Sequence, residues 1–191
     1  MKKVFLTSDM GCSIKENGIR HTTKIDNRNH IIEQIKDKLT DEKVFIFITS
    51  NPDDFEKNDN YAKITFESFN ISGFNFKKLI IIDNRFLDNI EKTIKSSDLV
   101  FLSGGNTEIE MKYFEKIKLR EILKEYNGVI IGQSAGAINL ASIAVCSPEY
   151  EEEIGKNYVW PGLDLTKINI EPHFHLEINN KLEEKLRNEL L

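Results

Sequence analysis

Val129-Ile130-Ile131-Gly132-Gln133-Ser134-Ala135-Gly136-Ala137-Ile138-Asn139-Leu140 is the stretch on which the reading of this chain turns. Three β-branched residues in a row make a short apolar run, the signature of a strand buried on both faces. Small residues follow at once, and the apolar pattern then resumes as the start of a helix. A strand that breaks directly into a helix has to turn sharply. Glycines at 132 and 136 allow that turn without a steric clash.

The same grammar recurs along the chain. Val4–Thr7, Val44–Thr49, Leu79–Ile82 and Leu99–Ser103 are further short runs rich in Val, Ile and Phe, nearly continuous rather than alternating. Between them, Ile31, Ile32, Ile35 and Leu39 recur at helical spacing, as do Leu87, Ile90 and Ile94. The segment Glu108–Tyr126 carries Ile109, Tyr113, Phe114, Ile117, Ile122 and Leu123, a pattern of two helices with a bend. Strands alternating with helices predict an α/β fold: a three-layer, doubly wound, mostly parallel sheet of the flavodoxin-like kind. A later run, Ile168–Phe174, reads as one more strand, and Asn179–Leu191 as a closing helix.

Composition narrows the function classes. The chain has 191 residues, 40% of them hydrophobic, enough for one buried core and too few for two ordinary domains, so 1–191 is read as a single α/β domain. The net charge of −5, with Lys interspersed among Glu and Asp, argues against a nucleic-acid partner, which needs clustered cations. Glu151-Glu152-Glu153 reads as a solvated face or loop. Cys12 and Cys146 are far apart and make no metal spacing, which suits a reducing compartment. No run approaches a membrane span, and Met1–Leu6 reads as a first strand rather than a signal peptide. A cytoplasmic monomer or homodimer with no membrane partner is the expectation.

In doubly wound sheets, ligands bind beyond the carboxyl ends of the strands. Two glycine-bearing motifs fall there: Ser103-Gly104-Gly105-Asn106-Thr107 and Gly132-Gln133-Ser134-Ala135-Gly136. The second fits the nucleophile-elbow pattern, in which a strained residue between strand and helix lifts its side chain out of the sheet. The adjoining helix aims N–H groups at the same spot, favouring negative charge there. Acyl transfer also needs oxyanion donors. The N–H of Ala135, directly after the serine, is one, and Gly104-Gly105-Asn106 is suited to expose another; Asn106 or Thr107 can equally serve as a helix N-cap. Neither a Walker lysine nor a G-x-G-x-x-G spacing is present, which disfavours a phosphate loop. Of the four histidines, His173 at the end of the late apolar run is the leading base; His30 reads as an exposed helix position and His21 as part of a long polar loop.

These residues resemble the dipeptidase E and cyanophycinase family of serine peptidases, whose fold is related to class I glutamine amidotransferases. The resemblance rests on Gly-Gly-Asn-Thr at 104–107, Gly-x-Ser-Ala-Gly-Ala at 132–137 and Pro-His-Phe at 172–174, in that order. It implies hydrolysis of small acidic peptides, typically dipeptides with N-terminal aspartate, with no metal or organic cofactor. It assigns Ser134 as nucleophile, His173 as base, and the N–H groups of Gly105 and Ala135 as the oxyanion hole. For the acid it points first to Glu149; His175 with Glu177 is a rival pair of amidotransferase type, and Glu171 is a further alternative. Dipeptidase E continues into further strands past the point matching Leu191, so functions resting on those strands are not expected of this sequence. Its counterpart of Asp9–Asn27 is shorter and less polar, and here that segment is expected to cap the site and alter which substrates enter. Arg20, Lys24 and Lys112 are the candidate cations for an acidic substrate. Three other readings compete: an amidotransferase-like glutaminase, disfavoured by serine at the elbow; a non-catalytic binding module on the same fold; and an α/β-hydrolase esterase.

Overall fold

The computed structural model describes residues 3–86, 88–146, 158–170 and 172. In chain order the elements are β1 (Lys3–Thr7), β2 (Ser13–Glu16), β3 (Ile19–Thr22), α1 (Ile31–Lys38), β4 (Val44–Ile48), α2 (Phe55–Ile71) and β5 (Lys78–Ile82). There follow α3 (Ile90–Lys95), β6 (Leu99–Leu102), α4 (Thr107–Lys116), α5 (Leu119–Glu125), β7 (Val129–Gln133), α6 (Ala135–Asn139), β8 (Ile143–Cys146) and β9 (Tyr158–Pro161). No helix among the described residues is long and apolar enough to cross a membrane.

Five strands form one sheet in the order β1-β7-β6-β4-β5, and every pairing within it is parallel. The strands are short and apolar on both faces, and the two faces bury different side chains. Phe45, Phe47, Leu99, Phe101, Val129 and Ile131 pack with Ile31 and Ile35 of α1 and with Ala62 and Phe69 of α2. Ile46, Ile48, Ile82, Val100, Leu102 and Ile130 pack with Ile94 of α3, Met111 and Phe114 of α4, and Leu119 and Leu123 of α5. The outcome is a three-layer α/β sandwich. The first face is an aromatic cluster: the Phe45 ring lies 5.0 Å from Phe69 and 5.3 Å from Phe76, edge to face, and Phe47 stacks 5.7 Å from Phe101. Such pairs add about 0.5–1.5 kcal/mol each beyond the apolar area they bury.

This division of faces locates the ligand crevice. The chain leaves β4 for α2 on the Phe45 face, and leaves β6 for α4 on the Ile46 face, although β4 and β6 are neighbours. Their connections therefore diverge and open a cleft at the carboxyl ends of these two strands.

The five predicted strands of the main sheet are present, and Glu108–Tyr126 is two helices, broken where Lys118 takes a left-handed conformation (φ 54°). Two expectations differ. Asp9–Asn27 is not simply a loop: it holds the antiparallel hairpin β2–β3, so His21 lies on a strand. Ile168–Ile170 is irregular, because its backbone joins no ladder. The longest helix among the described residues, α2, had no counterpart in the sequence reading: it carries no clear apolar stripe, since Asn58, Thr65 and Ser68 share its buried side with Ala62 and Phe69. Each of these polar groups has a hydrogen-bond partner. Asn58 Nδ2 donates to Asn51 O (2.9 Å), Thr65 Oγ1 to Tyr61 O (2.8 Å) and Ser68 Oγ to Thr23 O (2.6 Å).

Candidate active site

Ser134 stands between β7 and α6 with φ 51° and ψ −112°, a conformation that non-glycine residues rarely adopt. Residues held this way cost of order 1–3 kcal/mol and persist only where their surroundings fix them. Several bonds do so here. The Ser134 N–H donates to Thr7 O (2.9 Å), and its carbonyl accepts from Ala137 N (2.9 Å) and Ile138 N (3.0 Å). Thr7 Oγ1 donates to Gly132 O (3.0 Å), pinning the last turn of β7 to β1. The flanking glycines are required by contact. A Cβ at Gly132 would lie 2.7 Å from Ala137 N, and one at Gly136 would lie 2.6 Å from Leu102 O. The elbow therefore packs backbone to backbone against its own helix and against β6.

Gly104 and Gly105 follow β6 and abut the serine. A Cβ at Gly104 would meet Ser134 Cβ at 3.2 Å and Ser134 Oγ at 3.8 Å. Gly105 has φ +155°, and a Cβ there would fall 2.1 Å from Ser50 Oγ. Ser50, just past β4, donates its hydroxyl to Gly104 O (2.8 Å) and so ties the glycine loop to the neighbouring strand end. Asn106 caps α4 by accepting from Ile109 N (2.9 Å). Ala135 opens α6, and its N–H belongs to a first turn, which has no intrahelical acceptor. The elbow serine, the double glycine and the first N–H of α6 are thus assembled at one strand edge.

A partly enclosed cleft of about 320 Å³ opens in front of Ser134. Its floor includes Phe47, Phe101 and Ser103, and its far wall is α2 with the β2–β3 hairpin, presenting Tyr61 and Arg20. Asp9 and Lys57 also line it. Of the three cations raised from the sequence, Arg20 reaches the cleft; Lys24 and Lys112 do not line it, and Lys112 pairs with Glu108 along α4 (2.6 Å). Lys57 and Asp9 had no sequence signal, because each faces the cleft only through long-range packing. His173, His175, Glu149, Glu171 and Glu177 lie outside the described residues. Among the described residues, no group of three or more His, Cys, Asp and Glu side chains is arranged to hold a metal ion.

Behind the elbow lies a buried polar bridge that sequence patterning does not reveal. Asn139, at the end of α6 and fully buried, donates from Nδ2 to Thr107 O (2.9 Å) and to Glu110 Oε2 (2.9 Å). Trp160 Nε1 donates to Asn139 Oδ1 (3.0 Å). The bridge joins the helix after the double glycine to the helix after the serine. Glu110 is fully buried, and burial holds its carboxyl well above the usual carboxylate range, only partly opposed by the Asn139 hydrogen bond. Its second oxygen has no hydrogen-bond partner among the described residues.

Comparisons with known proteins agree with this architecture. The sequence model described as peptidase family S51 matches residues 20–190. Among solved structures, a candidate peptidase E protein from Listeria monocytogenes EGD-e superposes with a TM-score of 0.64 at 16% identity, over 97% of this chain and 87% of that one. A peptidase from an acI-B1 actinobacterium superposes with a TM-score of 0.56 at 15% identity, over 86% of this chain and 64% of that one. A search of curated protein sequences gives no match.

Proposed function

The chain belongs to peptidase family S51 and is a serine-type peptidase; from that premise we propose that Ser134 is its nucleophile and that it cleaves small acidic peptides, chiefly dipeptides with N-terminal aspartate. One observation carries the reading. Ser134 is held at positive φ on a strand-to-helix turn, at the rim of the cleft and against the Gly104–Gly105 backbone. Strain of this kind concentrates where a side chain must be presented.

The chemistry is acyl transfer. Ser134 Oγ attacks the scissile carbonyl while His173 takes its proton. The N–H groups of Gly105 and Ala135 hold the oxyanion, each contributing roughly 3–4 kcal/mol to the transition state. The intermediate collapses with loss of the amine, which receives the proton from His173. Water, deprotonated by the same imidazole, then attacks the acyl-enzyme and releases the acid and the free serine. Glu149 orients the imidazole. The cationic side chains of the cleft, Arg20 and Lys57, support the acidic preference.

Ser134→Ala tests this directly. The expected result is no turnover of aspartyl dipeptides by a protein that retains its thermal transition, together with loss of labelling by a fluorophosphonate probe. A variant as active as the parent would overturn the assignment.

A further inference from the structure

We infer that Arg20, on the β2–β3 hairpin and backed by Lys57, receives the side-chain carboxylate of the substrate's N-terminal residue, while Asp9 receives that residue's free ammonium. This rests on the serine-peptidase reading above and adds the residues that would select the substrate.

Among the described residues, the protein leaves the charge on this wall of the cleft uncompensated. Arg28 pairs with Asp26, and Arg85 pairs with Asp59 and Asp83. Arg20 has no ion pair among the described residues. Its hydrogen bond goes to Ser13 Oγ (3.1 Å), and its guanidinium carbon lies 4.9 Å from the centre of the Tyr61 ring. Both partners are neutral, so they fix the side chain without cancelling its charge. Lys57 is the second cation on that ring, with Nζ 6.0 Å from its centre, and it too lacks an ion pair among the described residues. Among its described residues, an acidic protein of net charge −5 thus keeps two cations without an ion pair in the cleft that Ser134 lines.

The hairpin that carries Arg20 is fastened rather than hanging free. Thr22 Oγ1 donates to Glu67 Oε2 (3.0 Å) and Ser68 Oγ donates to Thr23 O (2.6 Å), joining it to α2. Arg20 is therefore pre-organised, which limits the entropy lost when it binds an anion.

Asp9 stands at the opposite side of the charge balance. It lies two residues beyond Thr7, whose carbonyl takes the Ser134 N–H, so the chain itself places it near the elbow. One carboxylate oxygen accepts from Gly11 N (2.9 Å), and no cation pairs with it among the described residues. A cleft of about 320 Å³ with cations on one wall and a carboxylate near the serine matches an amino acid that carries a free ammonium and an acidic side chain. The family match begins at residue 20, so Asp9 and β2 precede it.

The test compares Asp-Leu, Asn-Leu and N-acetyl-Asp-Leu as substrates of the parent protein, Arg20→Gln and Asp9→Asn. Arg20→Gln is expected to lower kcat/KM on Asp-Leu by roughly 30-fold, chiefly through KM, while changing Asn-Leu less than about 3-fold. Asp9→Asn is expected to lower Asp-Leu by about 10-fold or more and to leave the acetylated substrate unchanged. Equal losses on Asp-Leu and Asn-Leu, or none, would overturn the Arg20 assignment; equal losses on free and acetylated substrate would overturn that of Asp9. Calorimetric binding of the same three dipeptides in a Ser134→Ala background separates the two levels. If discrimination survives in binding but the parent protein turns over none of them, the peptidase chemistry at Ser134 fails and the receptor stands. If turnover is present and Arg20→Gln binds Asp-Leu and Asn-Leu with unchanged selectivity, the receptor fails and the chemistry stands.

Discussion

Gly105→Ala followed by relief at Ser50 is the most discriminating perturbation the structure offers. The added Cβ would lie 2.1 Å from Ser50 Oγ and 2.7 Å from Ser50 Cβ. Rotating Ser50 moves its oxygen but not its Cβ, which is anchored to the end of β4. To reach ordinary contact, Cβ and Cβ must separate by roughly 0.7 Å, and the glycine loop, with no side chains to pack it in place, is expected to yield. That motion carries the Gly105 N–H away from the oxyanion position. The loss of one such donor is expected to lower kcat about 10²–10³-fold, with a much smaller change in KM. The geometry sets a ranked rescue. Ser50→Ala/Gly105→Ala removes the 2.1 Å clash and leaves the 2.7 Å one, so it stays impaired. Ser50→Gly/Gly105→Ala removes both and recovers at least tenfold of the lost kcat, short of full recovery because φ +155° still disfavours alanine. Steady-state kinetics on an aspartyl dipeptide reads all three. Parental kcat in Gly105→Ala, or equal kcat in the two double variants, would refute the reasoning.

Two further outcomes concern the framework behind the site. Glu110 keeps its proton in the folded protein at pH values where the unfolded chain, near its ordinary value of 4.5, has lost it. Its contribution is therefore complete at low pH and declines as pH rises above that value, by about 1.4 kcal/mol per pH unit until the native carboxyl ionises. Glu110→Gln removes this linkage, so urea unfolding at pH 5, 6, 7 and 8 should show the variant gaining on the parent with rising pH; a pH-independent difference would mean the carboxyl is not held neutral. Gly136→Ala drives a Cβ to 2.6 Å from Leu102 O and 2.8 Å from Leu102 Cβ, and should destabilise the fold by about 1–3 kcal/mol in urea titration. A loss under about 0.5 kcal/mol would show that α6 can shift away from β6 at little expense.

The sequence by itself determined the strands of the main sheet, the alternation with helices and the elbow at Ser134. Burying a strand on both faces demands a continuous apolar run, and a backbone packed on backbone demands glycine, so both leave marks within a few residues. Tertiary structure decided the rest. The strand order, and with it the divergence between β4 and β6 that opens the cleft, depends on which distant segments pair. Helix α2 was hidden because its buried face carries Asn58, Thr65 and Ser68, whose polarity reads as surface until their partners are known. Nothing in the local sequence sets Glu110 apart from the other helix carboxylates, and only the approach of Asn139 from another helix makes it part of a buried bridge. Asp9, Arg20 and Lys57 meet before Ser134 through a hairpin and a helix folded onto the sheet. A charge becomes a binding group when its neighbours leave it unpaired in a cleft, and that is a property of the assembled surface rather than of local sequence.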